Sequence, residues 1–116
     1  MLKKENKIIQ RGEVYWINLP IDNKQELQGK HPAVIISNNE QNKFSPLITI
    51  IPLTSQIDKI YPFQVFSNLQ NKKGIILVDQ IRTIDRVRLG DKIDKLSFET
   101  MNKIEKTLHL TLDLKS

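Results

Sequence analysis

The chain has 116 residues, which suits one domain, and it contains no cysteine. Disulfides, thiolate-bound metals and cysteine nucleophiles are therefore excluded. Its 18 Lys and Arg against 13 Asp and Glu leave a net charge of +5, which is compatible with a polyanionic partner and decides nothing more. Residues 1–11 carry four basic side chains and one acidic side chain, a net charge of +3. We therefore expect a basic arm at residues 1–10 and a single folded domain at residues 11–116. Such an arm is either a solvated terminus or a direct contact to nucleic acid.

No segment has the length of a membrane anchor. The N-terminal apolar pair Ile8 and Ile9 is followed at once by polar residues, which is not the pattern of a secretory signal. The longest apolar runs, such as residues 75–78, are far too short to cross a bilayer. We expect a soluble, cytoplasmic protein with no membrane partner.

Short clusters of Ile and Val alternate with polar segments that contain Gly or Pro, which is typical of many short strands. The pattern predicts strands at residues 13–19, 33–37, 47–53, 62–66, 75–79, 80–84 and 88–95. Polar loops are predicted at residues 20–32 and 54–61, and a polar segment with a turn of helix at residues 38–46.

The hydrophobic period changes after Ser97, which is a good N-cap residue. Met101, Ile104, Leu108 and Leu112 then recur at three- and four-residue spacing, which predicts an amphipathic C-terminal helix. The expected fold is mainly β (α+β): a small, strongly bent sheet or barrel of about six to seven strands with this helix packed on it.

The sequence lacks the usual motifs of cofactor chemistry. Its glycines form no phosphate-binding loop, no Gly-x-Ser-x-Gly elbow is present, and His31 and His109 stand alone in the sequence. We therefore expect neither a metal nor another cofactor.

Two short segments carry chemistry of their own. Lys30 and His31 stand just before a buried strand, and an imidazole next to a cation suits proton transfer in a phosphate reaction. The alternative is a solvated loop. Thr54 and Ser55 end another strand, where hydroxyls either form a turn or serve a site.

A third segment, residues 79–88, is basic and strand-like. Alternation along a strand places three of its side chains on one face, namely Gln80, Arg82 and Ile84. Such a face suits contacts to phosphates and base edges. The alternative is that Asp79 and Asp85 pair with the arginines.

Five blocks, at residues 11–16, 29–38, 51–55, 61–65 and 79–85, occur in the order found in a known family. Together with the terminal helix they resemble the MazF/Kid/PemK family of toxin endoribonucleases from bacterial toxin–antitoxin pairs. The likeness covers residues 11–114, and the heptad at 79–85 is its most specific part.

The resemblance implies an SH3-like, CcdB/MazF-like barrel that forms a homodimer and is the toxin of a type II toxin–antitoxin system. It implies metal-independent cleavage of single-stranded mRNA at a short sequence, which inhibits translation and growth. The ribose 2′-hydroxyl attacks the adjacent phosphorus and leaves a 2′,3′-cyclic phosphate and a 5′-hydroxyl end. The expected partner is a cognate antitoxin whose acidic, disordered tail covers the RNA groove.

The chain departs from the family at one important position. The residue before Pro32 is usually a catalytic Arg that pairs with the Thr matching Thr54, and here it is His31. In the interpretation we favour, His31 is the general acid or base, Thr54 donates to the phosphorane and Lys30 restores some charge. The alternative is a weakened site, or a non-catalytic CcdB-like module that binds an antitoxin or a topoisomerase.

The other site residues are those that the resemblance carries over to this chain. Glu26 matches an acidic loop residue that orients His31 or a ribose, and Ser55 supports Thr54. Four further residues match positions that line the family's RNA groove, with phosphate contacts for the arginines and base or sugar contacts for the amides: Arg11, Asn38, Gln80 and Arg82.

Overall fold

The computed structural model describes residues 8–21, 28–56 and 60–115. Within these ranges the chain forms seven strands, β1 Glu13–Leu19, β2 Gly29–Ile35, β3 Leu47–Thr54, β4 Val65–Leu69, β5 Lys72–Ile76, β6 Arg82–Asp85 and β7 Leu89–Lys95. Its two α-helices are α1 Asn39–Phe44 and α2 Phe98–Thr111, and short 3-10 helices lie at Val78–Gln80 and Arg86–Arg88.

The strands form one curled antiparallel sheet in the order β4-β5-β3-β2-β1-β7. Strand β3 is shared by two halves of this sheet. Its first four residues pair with β6, and its last two pair with β5. Register shifts between β1 and β7 add local twist to the edge. The predicted fold class, a small bent sheet with a C-terminal helix, is confirmed.

Side chains alternate between two faces of the sheet, and each face has its own core. On what we call the helix face, Val14, Val34 and Ile51 pack with Met101 and Ile104 of α2. On what we call the opposite face, the core consists of Ile9, Tyr15, Ile17, Leu19, Ala33, Ile35, Ile48, Ile50 and Ile84. Because Ile9 is buried there, the described end of the predicted arm packs on the domain; residues 1–7 lie outside the described ranges.

Strand β1 and helix α2 follow the sequence pattern closely. The Ser97 hydroxyl accepts a hydrogen bond from the Thr100 amide at 3.1 Å and so caps α2 as predicted. Residues 29–32, predicted as loop, instead begin β2 because they pair with residues 16–19 of β1. Backbone pairing with a strong strand outweighs the turn-forming composition of this segment.

The strand predictions between residues 62 and 84 are displaced. Strand β4 begins at Val65 because Pro62 and Phe63 form a turn. A tight turn with positive φ at Gln70 (52°) and Asn71 (64°) then starts β5 earlier than predicted. Residues 78–80 are a 3-10 helix, so the predicted strand at 80–84 is β6 at 82–85.

No helix in the described part of the chain is long and apolar enough to cross a membrane.

Candidate active site

His31 and Thr54 come from different strands and lie at the same end of the sheet. The last paired residues of β2 and β3 at this end are Ala33 and Pro52. His31 and Thr54 each lie two residues beyond that pair, and alternation places both on the opposite face. On the other side of β2, His31 pairs with Ile17 of β1. The fold thus places the two residues proposed for catalysis at the same end and on the same face of the sheet.

The His31 ring is held by a backbone carbonyl. Its Nε2 lies 2.7 Å from the Gln28 oxygen, and the side chain is half-buried. A carbonyl oxygen only accepts hydrogen bonds, so Nε2 carries the proton and donates it. In the neutral imidazole Nδ1 is therefore the basic nitrogen, in a ring whose orientation is fixed.

Thr54 forms a turn and keeps a proton to donate. Its Oγ1 accepts a hydrogen bond of 3.2 Å from the Gln56 amide, which is the turn-forming role considered for it. The hydroxyl hydrogen is not used in that bond and remains a donor. Ser55 is exposed next to it.

Lys30 lies on the helix face, away from the His31 side chain. It pairs with Asn18 of β1, and its Nζ lies 5.2 Å from the centre of the Trp16 ring. This distance is within the range of a cation–π contact. The structure therefore separates two residues that are adjacent in the sequence, because neighbours along a strand point to opposite faces.

Arg82 shares the opposite face with His31 and Thr54. It pairs with Ile50 of β3 and is half-buried, and its side chain has no hydrogen bond or ion pair to another described residue. The carboxylate of Asp85 instead accepts from the Val87 amide at 3.0 Å. Gln80 belongs to a 3-10 helix, so the predicted strand alternation from residue 80 to residue 82 is wrong.

Arg11 and Asn38 lie at the other end of β2, roughly 16 Å or more along the strand from His31. The Arg11 Nε donates to the Ile36 carbonyl at 2.8 Å, and its Nη2 forms an ion pair of 3.0 Å with Glu105. Asn38 caps α1 by accepting from the Gln41 amide at 2.8 Å. Both side chains therefore have structural partners in this chain. Glu26 lies outside the described residues.

Among the described residues, no group of three or more His, Asp or Glu side chains is arranged to hold a metal ion.

A groove beside Thr54 was missed by the sequence analysis. It has a volume of about 220 Å³ and lies on the helix face, between Trp16, Pro32, Leu53 and the start of β5. Trp16 is 38% exposed. The signal was available, because Tyr15 and Ile17 form the core and alternation then sends Trp16 to the other face of β1.

Comparison with known proteins identifies the family of the chain, and the match covers nearly its whole length. Residues 10–112 match the family of PemK-like, MazF-like toxins of type II toxin–antitoxin systems. The chain belongs to this family. Endoribonuclease EndoA of Bacillus subtilis (strain 168) is 37% identical to the toxin in an alignment of 112 positions that covers 92% of this chain and 97% of EndoA.

Solved structures agree with the fold of the toxin. MazF from Deinococcus radiodurans has a TM-score of 0.81 and 25% identity, covering 92% of this chain and 98% of the other. An endoribonuclease in complex with its cognate antitoxin, from a mycobacterial species, has a TM-score of 0.76 and 28% identity over 93% of this chain and 98% of the other. The predicted family, fold class and enzyme class are confirmed: the protein is a MazF-like endoribonuclease toxin of a type II toxin–antitoxin system.

Proposed function

We propose that the toxin cleaves single-stranded RNA without a metal ion, with His31 as general base and Thr54 as a hydrogen-bond donor to the reacting phosphate. The observation that carries the proposal is the position of these two residues at one end and on one face of the sheet. The contact from Nε2 of His31 to the Gln28 carbonyl adds to it, because it leaves Nδ1 as the proton acceptor.

The reaction needs few groups. Nδ1 of His31 takes the proton of a ribose 2′-hydroxyl, and the 2′-oxygen then forms a bond to the adjacent phosphorus. The bond from phosphorus to the 5′-oxygen breaks, and the leaving oxygen takes a proton from water. The hydroxide formed in this way takes the proton back from Nδ1 of His31, which restores the neutral ring. The products are a 2′,3′-cyclic phosphate and a 5′-hydroxyl end. Cleavage of mRNA in this way stops translation and growth.

Two groups on the same face suit the charge that develops at phosphorus. The Thr54 hydroxyl keeps a hydrogen to donate to a phosphorane oxygen. Arg82 supplies a guanidinium that has no partner among the described residues, which suits a contact to an RNA phosphate. Arg11 and Asn38, whose side chains have partners within the chain, then serve the scaffold more than the RNA.

Two protein partners belong to this proposal. The first is a cognate antitoxin with an acidic, disordered tail, which suits the net charge of +5 and a structural relative solved with its antitoxin. The second is another copy of the chain. Apolar side chains in and after α2 support a homodimer, since Phe98 is 82% exposed and Leu110 68% exposed. Because mRNA is the substrate, we propose that the toxin acts in the cytoplasm.

The test uses purified toxin and a long single-stranded RNA in the presence of EDTA. We expect discrete cuts with cyclic-phosphate ends from the natural protein, and no cuts from His31→Ala. The matched control is His109→Ala, because His109 is the other histidine of the chain and lies exposed near the end of α2.

Three results would contradict the proposal. If His31→Ala cleaves RNA at the natural rate, His31 is not the general base. If the natural protein loses cleavage in EDTA, the reaction needs a metal ion. Intact RNA with retained antitoxin binding supports the weakened or non-catalytic module that the missing Arg at position 31 suggests.

A further inference from the structure

The hairpin formed by β4 and β5 is joined to the rest of the sheet at its base. Strand β4 lies at one end of the strand order, and β5 pairs with β3 at two positions, Leu53 with Ile76 and Thr54 with Ile75. Val65 and Ile76, at the base of the hairpin, belong to the core of the helix face. The turn at residues 70 and 71 lies beyond these pairs, so pairing with β3 does not hold the tip of the hairpin.

The side chain of Gln70 holds this tip. Its Nε2 donates to the backbone carbonyl of Ile93 in β7 at 2.9 Å. Because β7 lies at the other end of the strand order, this bond brings the two ends of the curled sheet together. We call this bond the Gln70 clasp. Leu69 and Ile93 pack next to the clasp against the core of the helix face.

The backbone of Gln70 shows that the turn itself does not account for this residue. Its φ of 52° lies in the left-handed region, where most side chains are strained. A two-residue hairpin turn of this kind favours Asn, Asp or Gly at its first position. The clasp accounts for Gln70, because Gly has no amide side chain and Asn carries its amide on a side chain one methylene shorter.

The position of β5 sets the backbone of Thr54. The Leu77 amide donates to the Pro52 carbonyl at 2.9 Å, and hydrogen-bonded pairs alternate along an antiparallel ladder. The next hydrogen-bonded pair is therefore Thr54 with Ile75. Gly74 lies against the same strand, because a Cβ there would meet the Thr54 carbonyl oxygen at 2.9 Å. A displacement of β5 therefore moves Thr54 with it.

We propose that Gln70 is a positioning residue for RNA cleavage: the clasp holds the β4–β5 hairpin against β7, and the hairpin holds the Thr54 hydroxyl at the reacting phosphate. The inference rests on the proposed function, since it uses the role given there to Thr54. The clasp is a single exposed hydrogen bond. Its loss should therefore shift the hairpin without unfolding the domain.

The first test removes the donor and measures the hairpin without RNA. Gln70→Met keeps an unbranched, uncharged side chain of similar length that has no hydrogen to donate. We expect the amides of Thr54 and Ile75 to exchange hydrogen about 2- to 13-fold faster, which corresponds to the loss of one ordinary hydrogen bond. The amides of Val34 and Ile51, paired between β2 and β3, are the internal control. Unchanged exchange at Ile75 would overturn the proposal.

The second test measures cleavage of RNA. We expect Gln70→Met to lower kcat on the order of 10-fold, within the roughly 10²-fold that a displacement of about 1 Å can cost, with a smaller change in KM. Gln70→Lys restores a long side chain with a donor and should restore most of kcat. Asn68→Ala, an exposed change on the same hairpin, is the control and should keep the natural kcat.

The third test separates the clasp from the turn. Gln70→Asn suits the left-handed backbone better but is too short for the clasp, so we expect a kcat as low as that of Gln70→Met and no loss of thermal stability. A natural kcat in Gln70→Asn would show that position 70 serves the turn, and it would overturn the proposal.

Direct contact of Gln70 with RNA is the competing outcome, because Gln70 also lines the groove beside Thr54. The probe is a labelled single-stranded oligoribonucleotide with methylated 2′-hydroxyls, which binds but is not cut. The clasp predicts that Gln70→Met binds it with nearly the natural Kd. A raised Kd with unchanged amide exchange would assign Gln70 to RNA binding and overturn the proposal. If the natural protein does not cleave RNA, the proposed function fails, whereas natural cleavage with an equal kcat in Gln70→Met contradicts the role of Gln70 alone.

Discussion

Nε2 of His31 lies 2.7 Å from the backbone oxygen of Gln28, and this contact decides which nitrogen of the ring is basic. Because the carbonyl accepts the Nε2 hydrogen, the neutral ring has its lone pair on Nδ1. A side chain amide at position 31 can donate to the same carbonyl but has no basic nitrogen. Replacing His31 with Gln therefore keeps the hydrogen bond that orients the side chain and removes only the proton transfer.

His31→Gln is expected to lower kcat by about 10²- to 10⁴-fold, the usual contribution of a general base, with little change in folding. The measurement is the initial rate of RNA cleavage at several pH values, with a melting curve of the variant. His31→Arg is the second variant, because it restores the charge usual in this family without a group that exchanges protons. If His31→Gln retains the natural rate, His31 is not the base.

Thr54→Val removes the hydroxyl and keeps the branched shape of the side chain. We expect kcat to fall by about 10²- to 10³-fold, as for other donors to a developing negative charge, with a smaller effect on KM. Thr54→Ser keeps the hydroxyl and should retain most activity. An equal loss in the Ser and Val variants would contradict the donor role, because Ser keeps both the hydroxyl hydrogen and the oxygen that accepts from the Gln56 amide.

The sequence predicted the sheet and the terminal helix, because strand alternation and an N-cap are local signals. The family motifs supplied His31 and Thr54 as the pair proposed for catalysis, and their role stays a prediction. The sequence placed Lys30 beside His31, whereas strand geometry sends the two side chains to opposite faces. It also gave an RNA contact to Arg11, and the fold provides that side chain with partners in Ile36 and Glu105. Those partners are 25 or more positions away in the sequence and are set by tertiary packing.

Strand alternation alone assigns Trp16 to the helix face, but the rest of the groove beside Thr54 could not be predicted from the sequence. Its lining residues come from β1, β2, β3, β4, β5 and β7, and only the curl of the sheet brings them together. The turn before β5 has Gln70 and Asn71 at positive φ. Such turns usually contain Gly, so this one could not be recognised from its residue types.

Glu13 predicts how the stability of the toxin depends on pH. The carboxylate is 6% exposed and accepts from the Gln10 amide at 2.8 Å, the Tyr15 hydroxyl at 2.9 Å and the Lys92 ammonium at 2.9 Å. Burial alone raises the pKa of Glu13, but these bonds outweigh it and hold the pKa below its ordinary value of 4.5. The unfolded chain therefore binds this proton at a higher pH than the folded chain does.

The contribution of Glu13 is thus fully present above pH 4.5 and is lost as the pH falls through its lowered pKa. We expect Glu13→Gln to reduce the free energy of unfolding at pH 7 by about 1–3 kcal/mol and to flatten its decline below pH 4.5. Urea unfolding from pH 7 to pH 3 measures both effects. Tyr15→Phe is the matched variant, since it removes one of the bonds and keeps the ring, and an equally steep acid limb in Glu13→Gln would contradict the assignment.

Gly74 provides the last prediction, which concerns the wall between β3 and β5. A Cβ at this position would lie 2.9 Å from the Thr54 carbonyl oxygen, a backbone atom that moves only with its strand. We expect Gly74→Ala to reduce the free energy of unfolding by about 1–3 kcal/mol, as overpacking does elsewhere, and to slow RNA cleavage because Thr54 shifts. The measurements are urea unfolding and the cleavage rate. Asn68→Ala, an exposed change on the neighbouring strand β4, is the control and should alter neither. Natural stability in Gly74→Ala would show that β5 can move away from Thr54, and the groove would then not have a fixed wall.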